Sequence, residues 1–203
     1  MEMSHYAILR LLQELDQWME LEDCQPVDWV VCGGAALGLQ KLQDRPTRDV
    51  DVLGRWDEAV LNVVGIEVFP KELLACINRV VANHPELAGL GQNWVNLGPR
   101  ALAQAGLPEG FASRLRELRV GKRLTLHVLG RKDLLALKLY AAADEHGPRQ
   151  EIHFADLKGL APTYDELDWA VDWIRTLRDF EEKRSAAKHV IERSGYEDLA
   201  YYV

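Results

Sequence analysis

The chain has 203 residues, of which 48% are hydrophobic and 28% are charged, as in an ordinary folded globular protein. No apolar run approaches the roughly 18–20 residues of a membrane span, and the N-terminal residues lack the features of a secretion signal. A net charge of -8 argues against a protein that wraps nucleic acid non-specifically. The cysteines, Cys24, Cys32 and Cys76, are too widely spaced for a CxxC pair, so we expect a reducing, cytoplasmic location.

Apolar spacing and breaker residues predict the first four elements in chain order. The segment HYAILRLLQELDQWMELE has the spacing of an amphipathic helix, and VDWVVC has the composition of a buried strand. Gly33 and Gly34 end that strand, and AALGLQKLQ then favours a helix. The alternation in RDVDVL predicts a second strand.

The rest of the chain predicts a helix, a loop, a hairpin and further helices. The helix is PKELLACINRVVANHP, the loop is NLGPRALAQAGLPEG, and the hairpin joins LRELRV to RLTLHVLG. RKDLLALKLYAAADEH, QEIHFADLKGL and the charged C-terminal segment, which begins with a capping box at TYDE, are predicted helices. This order predicts an α/β (α+β) fold, a small mixed sheet with a helical C-terminal part. We expect a single domain over residues 1–203, with a core at about 25–160 and the helical part at about 161–203.

Two aspartates, Asp49 and Asp51, interrupt the apolar run of the second predicted strand. Because they are two residues apart, their side chains are expected to leave the same face of the strand. Buried charges are costly unless they are paired, so the two carboxylates form either a solvated strand face or a metal site. Mg²⁺ commonly binds one or two carboxylates together with substrate phosphates.

Gly33 and Gly34 lie where the first predicted strand passes into the following helix. Without side chains at these positions, a phosphate can approach the backbone N–H groups. If the two strands are neighbours, the glycines and the aspartates meet at one edge of the sheet, as phosphoryl or nucleotidyl transfer requires. The pattern alone leaves a tight turn and a solvated strand face open as alternatives.

The segment GGAALGLQ…RPTRDVDVL resembles the signature of the nucleotidyltransferase superfamily with the polymerase-β-type fold. The ending RPTRDVDVL is close to that of the branch that includes abortive-infection-type toxin nucleotidyltransferases and uncharacterised relatives. Three later segments resemble that branch in order and spacing, namely NWVNLG, RKDLLALKLYAA and HFADLKGL. The resemblance covers roughly residues 27–175 and implies a nucleotidyltransferase fold.

The resemblance also implies roles for individual residues. Asp49 and Asp51 would bind Mg²⁺, and Asp156 would be a further acidic group of the site. Five residues would bind the nucleotide triphosphate, namely Gly33, Gly34, Thr47, Arg48 and Lys138. Lys138 would share one cleft with the aspartates; the alternative is a surface lysine. Asp156 has its own alternative, a capping or paired acid on a helix surface.

Two departures from the superfamily pattern bear on catalysis. Many members have serine where this chain has Gly34, and that serine donates its hydroxyl to phosphate. Members also often carry a third carboxylate on a later strand, whereas the predicted hairpin offers only Glu117. The third acid is therefore either Asp156 or absent.

Basic residues are concentrated between Arg114 and Lys138, where eight cations against two acids give a local charge of +6. This stretch is either a solvated face or a surface that binds phosphate or RNA.

From the resemblance and these residues, we expect a Mg²⁺-dependent nucleotidyltransferase whose acceptor is tRNA, other RNA or a small molecule. If it is toxin-like, we expect an antitoxin protein as partner. The alternatives are an inactive nucleotide-binding regulatory module and an interaction protein.

Overall fold

The structure is a computed structural model that describes residues 2–144 and 146–203, and these residues form two units. The first unit contains the β-sheet, and the second is helical. Their bounds are Met1–Gln104 with Gly110–Gly130, and Ala105–Glu109 with Arg131–Val203. That residues 1–203 behave as one domain, with a core at about 25–160, stays a prediction.

Six strands of the described residues form one mixed sheet. They are β1 (Val27–Cys32), β2 (Val50–Asp57), β3 (Asn62–Val64), β4 (Val95–Asn96), β5 (Arg116–Arg119) and β6 (Leu124–Val128). The strand order is β3-β2-β1-β6-β5; β1 pairs antiparallel with β2 and parallel with β6. On the other side of β2, β4 pairs parallel with its start and β3 pairs antiparallel with its end. The predicted fold class, a small mixed sheet with flanking helices, is confirmed.

The helices of the sheet-containing part follow the predicted apolar spacing. They are α1 (His5–Leu21), α2 (Gly33–Leu39), α3 (Lys71–Asn83) and the short α4 (Arg100–Ala105). Ser4 caps α1, because its hydroxyl accepts a hydrogen bond from the N–H of Ala7. Helix α2 packs on β1 and β2, and α1 packs on α3. The strand residues Val30, Val31 and Val52 are fully buried between these layers.

Asp16 joins α1 to the β5–β6 hairpin. Its carboxylate accepts three backbone hydrogen bonds, from Lys122 at 3.1 Å, Arg123 at 2.7 Å and Leu124 at 2.8 Å. A Cβ atom at Gly121 would lie 1.9 Å from Asp16 Oδ2, so the turn needs a glycine there. The hairpin is therefore fixed to α1 by a buried acid that the apolar pattern does not reveal.

The second unit consists of five helices among the described residues. They are α5 (Arg131–Asp144), α6 (Pro148–Gly159), α7 (Tyr164–Arg175), α8 (Phe180–Arg193) and α9 (Glu197–Tyr201). Helix α5 packs on α6, α7 and α8. The predicted capping box is confirmed, since Thr163 and Glu166 bond reciprocally at the start of α7. Within the described residues, no helix has the length and apolarity to cross a membrane.

Three features of the first unit differ from the predicted elements. Strand β2 begins at Val50, so Asp49 lies immediately before the strand. The segment predicted as a loop contains both the end of β4 and helix α4. Strands β3 and β4 were not predicted, because two or three residues are too few for an alternating pattern.

Candidate active site

Asp49 and Asp51 are brought together by the side chain of Asn96. The Asn96 amide nitrogen donates hydrogen bonds to Asp49 Oδ2 at 3.1 Å and to Asp51 Oδ1 at 3.2 Å. All three residues are half-buried. The predicted same-face placement of the two carboxylates is therefore observed, although Asp49 precedes the strand.

Sheet register places Asn96 at this point. In the parallel pairing of β4 with β2, Val95 lies beside Val50 and Asn96 lies beside Asp51. Val95 and Val50 are both buried, which anchors β4 in the core. Because successive side chains of a strand leave opposite faces, the side chain of Asn96 is held next to the carboxylates while that of Val95 is in the core.

Gly33 lies against Asp51 from the other side. In the antiparallel pairing of β1 with β2, Cys32 is the partner of Asp51, so the next residue follows directly past the carboxylate. The φ angle of Gly33 is +69°, which favours glycine, and a Cβ atom there would lie 1.9 Å from Asp51 Oδ2. The glycine therefore places no side chain of its own against Asp51 Oδ2.

Gly34 has a different neighbour, the loop that precedes Asp49. A Cβ atom at Gly34 would lie 2.6 Å from Thr47 Oγ1 and 3.1 Å from Arg45 Nη2. The position has no space for the serine that many superfamily members carry, because the Thr47 hydroxyl and the Arg45 guanidinium already lie there. The backbone of Met3 bonds to Thr47 in both directions and holds this loop in place.

The two arginines of this loop differ in burial. Arg48, a predicted nucleotide ligand, is exposed. Arg45, which the sequence reasoning did not select, is half-buried beside Gly34 and donates to the carbonyl oxygen of Pro46. The sequence Arg-Pro-Thr-Arg does not by itself show which of the two arginines lies beside Gly34.

Lys138 and Asp156 form an ion pair within the second unit. Lys138 Nζ, on α5, lies 2.7 Å from Asp156 Oδ2, on α6, and 3.5 Å from His153 Nδ1. Asp156 is fully buried and Lys138 is only 4% exposed. The alternative of a surface lysine is therefore wrong, and so is that of a surface acid; the predicted roles of both residues toward a nucleotide stay predictions.

The hairpin does not supply a third acid to the pair. Glu117 is exposed on β5, at the edge of the sheet, and two strands separate β5 from β2. Among the described residues, no group of three or more His, Cys, Asp or Glu side chains is placed to hold a metal ion. The strand that does lie beside β2 brings an amide, Asn96, to the carboxylates.

Internal contacts engage the cations between Arg114 and Lys138, including Arg116, which donates to the carbonyl oxygen of Leu39, and Arg119, which donates to that of Gly121. Four are paired with acids, in the pairs Lys122–Glu20, Arg123–Asp23, Arg131–Glu166 and Lys138–Asp156. Lys132 Nζ lies 4.0 Å from the ring centroid of Trp169. The local charge of +6 is therefore largely offset by acids from other segments.

The donor set of the first unit fits a hard divalent cation. Asp49 and Asp51 offer carboxylate oxygens, which Mg²⁺ prefers, and two carboxylates match the number it takes when phosphates complete its shell. Gly33 leaves space beside Asp51 Oδ2 that a side chain would fill. These residues would hold Mg²⁺ and a triphosphate; no sulfur or imidazole ligand takes part.

Asn96 is, besides Arg45, a site residue that sequence reasoning missed. The hexapeptide NWVNLG was part of the family resemblance, but the sequence does not show which of its two asparagines belongs to the site. Asn93 is exposed, whereas Asn96 reaches the carboxylates. Only the pairing of β4 with β2 distinguishes them.

Comparison with known proteins gives one family. The model of the family described as "Nucleotidyltransferase of unknown function (DUF6036)" matches residues 7–198 of the chain. No curated protein and no solved structure matches it. The matched range includes the carboxylate pair, Asn96 and the Lys138–Asp156 pair. The resemblance to nucleotidyltransferases is thus confirmed, while the toxin-like branch stays a prediction.

Proposed function

Because the chain belongs to this nucleotidyltransferase family, we propose that it transfers a nucleoside monophosphate from a nucleoside triphosphate to an acceptor hydroxyl. The observation that carries the proposal is the convergence of Asp49 and Asp51 on one amide, with Asp51 Oδ2 against the bare backbone of Gly33. A bound Mg²⁺ would supply charge neutralisation for the phosphates in the transition state. A cytoplasmic location, which the wide spacing of the cysteines in the sequence predicts, is part of this proposal.

The residues have distinct tasks in this reaction. The acceptor oxygen bonds to the α-phosphorus, the bond from that phosphorus to the β-phosphate breaks, and pyrophosphate leaves. Asp49 or Asp51 accepts the proton of the acceptor hydroxyl. Gly33 and Gly34 allow the triphosphate close to the backbone, and Thr47 contributes the hydroxyl that Gly34 lacks.

Three cationic residues are proposed to interact with phosphate. Arg48 is the predicted phosphate contact, and Arg45 is added to it because its guanidinium lies beside Gly34. Lys138 is proposed to neutralise phosphate, and Asp156, the proposed further acid, fixes the position of its ammonium group through their 2.7 Å contact.

Two acceptor classes remain, RNA (including a tRNA 3′ end) and a small molecule. The basic stretch favours RNA by its sequence, but its ion pairs with acids weaken that argument. We therefore propose the transfer reaction without a preference between the acceptors. A toxin-like role with an antitoxin partner belongs to the RNA alternative.

A second candidate function is nucleotide binding without transfer, as in a regulatory module. The observation that favours it is the amide of Asn96, which lies beside the carboxylates where a third acid would complete a larger carboxylate set. Such a module would bind a nucleotide and Mg²⁺ but would release no pyrophosphate.

Label transfer distinguishes these functions. The protein is incubated with Mg²⁺ and each α-labelled nucleoside triphosphate, with and without bulk tRNA. We expect transfer that falls at least about 100-fold in Asp51→Ala, because the carboxylate stabilises charge in the transition state. Asp44→Ala, which removes an exposed acid of the same loop region, is the control.

The remaining outcomes have clear meanings. Mg²⁺-dependent nucleotide binding without transfer supports the regulatory module. If saturating Mg²⁺ and nucleotide leave the melting temperature unchanged, both nucleotide functions are contradicted, and the interaction protein gains support.

A further inference from the structure

We infer that Asn96 is a positioning residue that makes the carboxylate pair depend on nucleotide for metal binding. Its amide holds Asp49 and Asp51 together while keeping the charge of the cluster at two negatives. A divalent cation then binds firmly only when the phosphates of a nucleotide add further negative charge. This inference rests on the proposed function. It assigns to Asn96 the coupling between the binding of the divalent cation and the binding of the nucleotide.

The hydrogen bonds show why the amide is suited to this task. Two carboxylates so close repel each other, and an amide NH₂ group has two hydrogens to donate, one to each. The observed bonds, at 3.1 and 3.2 Å, go to one oxygen of each carboxylate. The amide therefore partly offsets the repulsion in the metal-free protein, which a third acid would increase.

The orientation of the amide is fixed from its other end. Asn96 Oδ1 accepts a hydrogen bond of 2.8 Å from the backbone N–H of Gly98. A Cβ atom at Gly98 would lie 2.8 Å from that same oxygen, so the close turn requires glycine. With the oxygen bound to the backbone, the nitrogen faces the aspartates, and the oxygen can face them only after this turn has opened.

The number of charges sets the metal affinity. Mg²⁺ sheds its water reluctantly and is usually bound by one or two carboxylates plus phosphates, not by a protein site alone. Asn96 is already bonded to one oxygen of each carboxylate. We therefore expect the protein alone to bind a divalent cation only weakly. A nucleotide supplies the missing charge, so cation and triphosphate are expected to bind together.

Three variants test the inference, with Mn²⁺ as the probe and no nucleotide present. Asn96→Asp adds a third charge with almost the same shape, and Asn96→Ala removes both hydrogen bonds without adding charge. Asn93→Asp makes the same chemical change at an exposed position three residues away and is the matched control. The rise of the melting temperature with Mn²⁺ is measured for each protein, and Mn²⁺ affinity is measured by electron paramagnetic resonance.

We expect Mn²⁺ to raise the melting temperature most in Asn96→Asp, less in Asn96→Ala, and least in the native protein and Asn93→Asp. Asn96→Asp should bind Mn²⁺ at least about tenfold more tightly than the native protein, which corresponds to roughly 3–5 °C at saturation. If Asn96→Asp is poorly stable without metal, its recovery by Mn²⁺ provides the same measurement. Equal affinity within twofold in all four proteins would overturn the inference.

A nucleotide arm separates this inference from the proposed function. Native protein with Mn²⁺ and a non-hydrolysable triphosphate analogue should gain far more stability than with either ligand alone. If that gain is missing while Asn96→Asp still gains Mn²⁺ affinity, the proposed function and the dependence on nucleotide both fail, and only the effect of Asn96 on the charge of the cluster stands. Tight Mn²⁺ binding by the native protein without nucleotide contradicts the coupling directly.

Discussion

Two acidic groups of the described residues, one in each unit, are built in opposite ways; they are called the first and the second cluster below. Asp49 and Asp51 are half-buried in the sheet-containing unit, and the amide of Asn96 bridges them. Asp156 is fully buried in the helical unit, where the ammonium group of Lys138 lies 2.7 Å away. In the first cluster a neutral group orients two like charges, whereas in the second an opposite charge neutralises one.

This difference predicts that the first cluster serves ligand binding and the second serves the stability of the fold. A buried ion pair has lost its hydration, so removal of one partner leaves an uncompensated charge and destabilises the fold. A half-buried carboxylate keeps contact with water and loses little stability when it is neutralised, but it is accessible to a cation. We therefore expect substitutions in the second cluster to change unfolding first, and substitutions in the first cluster to change ligand binding first.

The largest stability effect is expected from breaking the buried pair. Asp156→Ala should cost about 3–5 kcal/mol of unfolding free energy, because Lys138 is left charged and buried. Urea denaturation measures the loss. The double variant Lys138→Met with Asp156→Leu should recover much of it, and a folded double variant then tests the phosphate role of Lys138 without the stability loss. A cost below about 1 kcal/mol in Asp156→Ala would contradict the comparison.

Asp16 is a third kind of acid, because the three hydrogen bonds described above all come from backbone N–H groups. Asp16→Ala should cost about 2–4 kcal/mol, since three backbone N–H groups lose a charged acceptor. Thermal melts measure the loss, and nucleotide binding by the folded fraction should be unchanged. Selective loss of nucleotide binding with normal stability would mean that this acid, too, belongs to the site.

Gly33 connects the backbone conformation to the first cluster. Gly33→Ala should cost about 1–2 kcal/mol, because alanine is strained at a φ of +69°. Its Cβ atom would also displace Asp51, so Mg²⁺–nucleotide binding should fall by more than the stability loss explains. Gly65→Ala is the control, because a Cβ atom there meets no atom within 4 Å. Nucleotide binding that survives Gly33→Ala would place the ligand elsewhere.

The smallest effect concerns an ion pair outside both clusters. His84 Nε2 lies 2.7 Å from Glu14 Oε2, and the hydrogen bond to Glu14 raises the pKa of His84 above its ordinary value. The folded state therefore holds the proton more tightly than the unfolded state. The stabilising contribution is complete below the unfolded pKa and disappears as the pH rises through the folded pKa.

Stability should accordingly fall slightly as the pH rises above the ordinary pKa of histidine, by less than about 1 kcal/mol for a pair this close to the surface. His84→Gln should remove that part of the pH dependence, which urea titrations at several pH values can measure. An unchanged pH profile in the variant would assign the effect to another group.

The long elements of this fold were predictable because their patterns are strong. The strand Val27–Cys32, the helix Lys71–Asn83 and the hairpin from Arg116 to Val128 agree with their predicted positions. Each has enough residues for periodicity or a clear turn signal to define it. The glycines and aspartates of the candidate site were predicted from a strand-to-helix junction, the alternation of a second strand and the resemblance to nucleotidyltransferases, and their roles stay predictions.

The parts that the sequence did not predict depend on contacts between distant segments. Asn96 reaches the carboxylates only because a two-residue strand pairs with β2, and Arg45 matters only because its loop folds over Gly34. The burial of Lys138 depends on its partner on another helix. A single sequence contains no local signal for any of these contacts.

The most direct test of the central claim is the titration of a non-hydrolysable nucleoside triphosphate analogue, with Mg²⁺ present, into native protein, Asp51→Asn and Asp44→Asn. Asp51→Asn removes one carboxylate charge from the pair, and Asp44→Asn removes the same charge from an exposed residue. The account predicts that affinity falls at least about tenfold in Asp51→Asn only, while all three proteins keep similar melting temperatures without ligand. Equal affinity in the native protein and Asp51→Asn would contradict it.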